Sequence, residues 1–202
     1  MELRRLIFLL LTSLTFGGCA ANVNVNYVPD PDHKSPLEIL KHLTVSVAAE
    51  DQRNETERNR VGDRKNGFGQ PVAPVILTNQ SPMVLVQEAL RKEFSNNGIQ
   101  LVDATSNVPH KAITAKLKKY WVENKMNFFD ITMYSTISAD ILVEDIPPSG
   151  RTSTHTITGT ARDSRQLAFE SAYEETLNEA MAEFIQSFSR DPGLLSSLRG
   201  SP

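Results

Sequence analysis

Phe129-Asp130-Ile131-Thr132-Met133-Tyr134-Ser135-Thr136-Ile137-Ser138-Ala139-Asp140-Ile141-Leu142-Val143 alternates with period two as far as Ile141. Every odd position is apolar or small, and the even positions from Asp130 to Asp140 are polar or aromatic with a hydroxyl. A period of two over this length describes an extended strand with one buried and one wet face. Downstream, Pro147-Pro148-Ser149-Gly150 is a turn, and the threonine-rich run Arg151 to Arg162 is expected to return antiparallel to that strand. Upstream, Lys111 to Val122 reads as another strand. Ile113, Ala115, Leu117 and Trp121 lie on one face of it, with Thr114, Lys116, Lys118 and Tyr120 on the other. A sheet of at least three long strands is the frame on which everything else must pack.

The flanking segments supply its cover. Leu43 to Ala49 alternates with period two and is the expected first strand, and Asp51 to Gln70, rich in arginine and glycine and lacking apolar periodicity, reads as a long loop. Val72 to Thr78 is a short strand candidate. Ser81-Pro82 then opens a helix with Met83, Val86, Leu90 and Phe94 at helical spacing, ended by Asn96-Asn97-Gly98. Ile99 to Val102 is extended. Asp163 with Gln166 resembles a capping box for a last helix whose apolar stripe runs from Ala168 through Leu177, Met181 and Phe184 to Phe188. The expected fold class is α+β: an antiparallel or mixed β-sheet with two helices packed on one face, a two-layer sandwich of order β-α-β-β-β-α. The expected boundaries are residues 1–18 as a signal peptide, 19–36 as a lipidated cysteine and flexible tether, 37–191 as one domain, and 192–202 as a tail.

The amino terminus has a chemistry of its own. Arg4 and Arg5 precede an apolar run from Leu6 to Phe16 that is about half of the ~20 residues a membrane-crossing helix needs. Leu14-Thr15-Phe16-Gly17-Gly18-Cys19 resembles the bacterial lipobox, with Phe16 where an aliphatic residue is usual. The resemblance implies that Cys19, the chain's one cysteine, receives a diacylglycerol and becomes the new amino terminus, held by two or three acyl chains. Ala20 follows, and in Gram-negative lipoproteins the lack of aspartate there implies the outer membrane, facing the periplasm.

The 202 residues carry 21 basic and 24 acidic side chains, a net charge of −3, with 40% apolar and 22% charged residues. That is a globular balance without the broad positive field of a nucleic-acid binder, so no nucleic-acid partner is expected. A lone cysteine excludes an internal disulfide and a multi-cysteine metal site. His33, His42, His110 and His155 show no ligand spacing, and no Gly-x-Ser-x-Gly elbow occurs. Gly62, Gly67 and Gly69 lack the Gly-Lys-Ser/Thr ending of a phosphate loop, and Glu170, Glu174, Glu175, Glu179 and Glu183 read as a solvated helix face. No cofactor, metal or catalytic residue is expected.

A binding surface remains. Lys116, Lys118, Tyr120 and Tyr134, with Thr132, Thr136 and Asp130, gather on the outward strand faces. The arginines of the 51–70 segment are a second candidate, since guanidinium forks match carboxylates and phosphates. Both also fit an ordinary solvated surface.

Leu43 to Ala49 followed by Glu50-Asp51-Gln52-Arg53, then Val75-Ile76-Leu77-Thr78, Leu85-Val86-Gln87-Glu88-Ala89-Leu90 and Gly98, resemble the YajG family of uncharacterised bacterial lipoproteins across nearly the whole chain. The resemblance implies an outer-membrane lipoprotein exposed to the periplasm and no catalytic residues. Asp51 and Arg53 read as an ion pair at the strand exit or as a ligand site. The expected function is that of a non-catalytic, lipid-anchored protein binding a partner protein or a wall or lipid component. Two alternatives are an auxiliary lipoprotein of a lipid or solute transport complex and a cryptic cell-wall or lipid hydrolase.

Overall fold

The computed structural model describes residues 20–29, 35–54, 58–103, 109–146, 150–167 and 169–200. Cys19 and the expected signal peptide lie outside them. The chain is α+β, with one mixed eight-stranded sheet: β1 (Ala21–Val23), β2 (Thr44–Asp51), β3 (Arg60–Lys65), β4 (Pro71–Leu77), β5 (Gln100–Leu101), β6 (Lys111–Met126), β7 (Ile131–Asp145) and β8 (Thr152–Arg165). Three helices accompany it, α1 (Pro82–Asn96), α2 (Glu170–Arg190) and α3 (Pro192–Arg199), with a 3-10 turn at Pro36–Leu40.

β6, β7 and β8 form the expected antiparallel meander, with Ile141 opposite Ala115 on one side and His155 on the other. The far edge of β6 is shared. β2 runs parallel to it from Lys111 to Leu117, and β3 runs parallel to it at Val122 and Glu123. β4 then pairs antiparallel with β3, β1 parallel with β4, and β5 parallel with β2.

Alternation decides the core face. Ile113, Ala115, Leu117, Met133, Ile137, Ala139 and Ile141 are all buried on the helix side. α1 starts where Ser81 Oγ accepts the Val84 N–H at 3.4 Å, with Pro82 at its first position, and ends before Gly98, whose φ of +76° suits glycine. Its Phe94 meets Phe188 of α2 edge to face at 5.5 Å, joining the two helices over the sheet. β8 brings α2 unusually close. A Cβ on Gly159 would lie 2.2 Å from the Phe184 nitrogen and 2.3 Å from the Ala180 oxygen, both backbone atoms that cannot yield.

Several expectations are corrected. The 51–70 segment is not one loop: Arg60–Lys65 is a strand, invisible to periodicity because only Val61 and Gly62 are buried. Asp163 and Gln166 cap nothing, since β8 continues through Arg165 and α2 begins at Glu170 behind Phe169, without a side-chain cap. The stretch expected as a leash holds β1, and Val25 beyond it is also buried. The expected tail contains α3, whose Leu194 and Leu198 are in the core. The glutamates of α2 are not all a solvated face. Glu170 and Glu174 accept the N–H groups of Asn22 and Asn24 at 3.3 and 3.0 Å, and Asn178 accepts that of Asn26 at 3.0 Å, so helix side chains satisfy the open edge of the amino-terminal strand.

Replacing Gly159 with valine is expected to lower stability by about 1–3 kcal/mol or more, because helix and sheet must separate to admit the side chain. Thr158→Val, on the solvent face of the same strand, is expected to stay within about 0.5 kcal/mol. Urea denaturation followed by circular dichroism distinguishes them.

Candidate functional site

Among the described residues, no strand pairs with residues 118–121 on the β2/β3 edge of β6, because β2 leaves at Leu117 and β3 joins at Val122. Gln52 closes the near side of this gap by donating its N–H to the Leu117 carbonyl at 3.0 Å. Arg53 then turns inward. Its Nε and Nη2 grip both oxygens of Asp51 at 2.9 and 2.8 Å, Nη2 also reaches the Arg58 carbonyl at 2.9 Å, and the side chain is only 3% exposed. The Arg53 N–H returns to Asp51 Oδ1 at 3.1 Å, completing a tight, two-residue clasp.

The clasp leaves donors over. Among the described residues, Arg53 Nη1, Arg60 Nε and the Tyr120 hydroxyl are buried without a hydrogen-bond partner. A recess of about 290 Å³ is lined by Arg53, Lys118, Lys119, Tyr120, Trp121 and Glu123. Another of about 410 Å³ is lined by Asp51, Arg53, Arg58, Asn59, Ser81 and Met83, so Arg53 borders both. The Arg60 guanidinium lies 5.8 Å from the Trp121 ring centre, adding a second cation beside the first recess.

Charge follows geometry. Burial pulls the Asp51 carboxyl upward, but the hydrogen bonds from Arg53 and the charges of Arg53 and Arg58 outweigh it and hold the group below its ordinary range. Burial pushes the Tyr120 hydroxyl well above its usual value, only partly offset by the Arg53 charge, so it stays a neutral donor. Asp51 is engaged by Arg53 and Asp63 Oδ1 accepts from Arg60 Nη2 at 2.5 Å, so what is left over is Arg53 Nη1, Arg60 Nε and the Tyr120 hydroxyl, each able to donate. An arrangement of this kind suits an anionic oxygen, from a carboxylate or a phosphate.

Four of the residues singled out from sequence meet here: Asp51, Arg53, Lys118 and Tyr120. Tyr120 does so from the face opposite to the expected one. Leu117 pairs with Ala139 and Lys119 with Ser138, so Lys118 is an extra residue, a β-bulge, and every side chain beyond it changes face. Tyr120 is therefore buried and Trp121 half-exposed. Lys118 stays outside, bonded to Gln52 Oε1 at 2.6 Å and 3.4 Å from Asp140. Lys116 and Tyr134 do not join the recess. Lys116 sits opposite Asp140, whose carboxyl is lowered chiefly by the Thr156 hydroxyl and then by Lys118 and Lys116, and Tyr134 stacks under Arg162 at 5.5 Å. In the sequence Arg60 is a candidate only as one of the arginines of the 51–70 segment, apart from the strand-face residues, and Trp121 is not one; the bulge and the unexpected β3 bring the two together.

Sequence reading missed a second grouping. His155 Nε2 is 3.0 Å from Ser197 Oγ and 3.1 Å from Ser153 Oγ, with Asp191 Oδ1 3.7 Å from its Nδ1. The order serine, histidine, aspartate suggests a nucleophile relay, but Asp191 Oδ1 is occupied by the Leu194 N–H at 2.6 Å as the cap of α3. Ser197 lies near the carboxyl end of that helix, whose carbonyls repel a developing oxyanion. The grouping fastens α3 to β8.

A family model described as an uncharacterized lipoprotein matches residues 31–199. The chain belongs to that lipoprotein family. The YajG resemblance of its sequence points the same way. As a family of lipoproteins it implies a membrane-anchored place in the cell envelope. Among curated proteins none matches the sequence significantly. Two solved structures share the fold. One is a protein from Xanthomonas campestris of the DUF330 family, at 10% identity and a TM-score of 0.54, covering 83% of this chain and 92% of its own. The other is an uncharacterized protein at 8% identity and a TM-score of 0.53, covering 84% and 98% respectively.

The pH dependence of the clasp has a definite sign. The folded pKa of Asp51 is below the ordinary ~3.9, so the stability its pairing contributes is complete above about pH 5 and is lost as pH falls through the folded value. The urea midpoint of the parent is expected to exceed that of Asp51→Asn at neutral pH, and the difference to shrink on acidification to about pH 2.

Proposed function

We propose that this lipoprotein is anchored by acyl chains on Cys19 to the outer membrane, faces the periplasm, and works without catalysis by holding an anionic group of an envelope partner in the recess between β2 and β3. The observation that carries the reading is the pair of buried, unpaired donors, Arg53 Nη1 and the Tyr120 hydroxyl, at that recess. Burying a donor without a partner costs about 1–3 kcal/mol, a penalty that an incoming carboxylate or phosphate oxygen would remove. The partner is a protein carboxylate or a wall or lipid phosphate. A transport role would instead require room for an acyl chain among Phe94, Tyr173, Phe184 and Phe188, which are packed in the core.

Tyr120→Phe separates binding from packing. If the hydroxyl only suffers burial, removing it leaves stability unchanged or raises it by about 1 kcal/mol. If it also holds a partner, capture must fall at the same time. A photo-cross-linking residue at Lys119 in intact cells is expected to trap a specific adduct that Tyr120→Phe weakens, whereas the same residue at Ile39 traps none. Equal trapping at both positions, or no effect of Tyr120→Phe on capture, removes the recess from the account.

The anchor has its own test. Cells fed a radioactive fatty acid are expected to label the parent and not Cys19→Ala. Label persisting on the alanine variant would place the lipid elsewhere on this chain, and a parent without label would remove the anchor.

A further inference from the structure

Most of the exposed large apolar side chains of the described residues are gathered at one end of the sheet. The hairpin joining β6 to β7 projects Phe128 and Phe129, 92% and 85% exposed and packed edge to face at 4.7 Å. β8 ends alongside it, Arg165 being opposite Ile131, and the link into α2 exposes Leu167 and Phe169. The hairpin joining β3 to β4 carries Phe68, 91% exposed. It is tied to the same end of β6 by Asn124, which accepts the Lys65 N–H at 2.6 Å and donates to the Lys65 carbonyl at 2.9 Å. Met126, at the end of β6, and Val72, near the start of β4, are also exposed. The remaining exposed large apolar residues, Val28, Ile39 and Tyr134, are single. Five large side chains on three loop tips are more than scattered surface exposure, and a soluble domain has no use for them in water.

The same end is where the chain enters the fold. Ala21 aligns with Val75 of β4, and Asn22 is held by Glu170 in the first turn of α2, next to Phe169. The described chain begins at Ala20, one residue before this strand, and Cys19, where the anchor is proposed, directly precedes Ala20 in the sequence. A leash of seventeen residues would have let the domain roam. A strand that begins at Ala21 does not.

The geometry points to a membrane-docking end: Phe68, Phe128, Phe129, Leu167 and Phe169 enter the interfacial layer of the same bilayer that receives the acyl chains of Cys19. This rests on the anchored reading proposed above. Loop-borne phenylalanines and leucine bury apolar surface at the boundary of headgroups and acyl chains, and the covalent anchor supplies the proximity that makes such shallow insertion effective. The consequence is orientation. The long axis of β6 stands away from the membrane, the recess near Tyr120 lies part-way up the sheet, and the end bearing Ile39 and α3 points into the aqueous space.

The test uses the lipid-modified chain reconstituted into vesicles of phosphatidylethanolamine and phosphatidylglycerol containing a brominated lipid. Tryptophan fluorescence is read for Phe128→Trp, Phe169→Trp and Ile39→Trp against the parent, whose Trp121 is the common background. Quenching of the added tryptophan is expected to be several-fold greater at positions 128 and 169 than at 39. Phe68→Asp combined with Phe129→Asp is expected to reduce quenching at 128 while vesicle flotation, held by the acyl chains, is unchanged. Flotation with equal, weak quenching at all three positions overturns the docking proposal and leaves the anchor standing. Weak quenching together with a sedimenting dimer that Phe128→Asp dissociates makes this end an interface between copies and also overturns it. Failure to float with Cys19 unmodified overturns the anchored reading, and docking with it.

Discussion

The main-chain ladder of β6 is the constraint on which the rest depends. It is long enough to take one neighbour along the whole of one edge and two in succession along the other, and it is bulged where one gives way to the next. A straight β6 would have kept Trp121 inside and Tyr120 outside, in the alternation set by Leu117. One extra residue at Lys118 reverses them, and the same irregularity coincides with the gap that Arg53 enters. Pairing, burial and the recess are consequences of a single local change in register.

The helix layer is fitted to that sheet by a second constraint, the closeness of α2 to β8 at Gly159. Because no side chain intervenes, α2 can present its apolar stripe to the sheet and still reach β1 with Glu170, Glu174 and Asn178. Those side chains do the work of a missing neighbouring strand. They also fix the amino-terminal segment, so the place where residues 22–26 run along the fold is set by helix packing.

Legibility in the sequence followed solvent asymmetry. β7 and α1 were plain because one face is wet and the other dry, and each has clean termini. β3 was not, since a strand with two consecutive buried residues and otherwise partly exposed charged residues has no period to detect. β1 is three residues long and is buried by contacts with β4 and α2, far away in the chain. The false capping box at Asp163 shows the converse error. The residues were right for a helix start, but pairing with β7 held them in an extended conformation and Asp163 served Arg165 instead. Of the candidate site, the Asp51–Arg53 pairing was readable as a short-range clasp; the convergence with Tyr120 and Arg60 was not.

By itself the sequence determined the class of fold, the meander of long strands, the first helix with its serine cap and glycine exit, and membership of a lipoprotein family. These rest on local periodicity and short motifs, which need no knowledge of what packs where. The tertiary structure alone decided the face on which Tyr120 lies, the buried donors left over beside Arg53, and the gathering of phenylalanines at the end where the chain emerges. The reason is that a one-residue bulge and long-range strand pairing leave no periodic trace, yet they govern which side chains share a space.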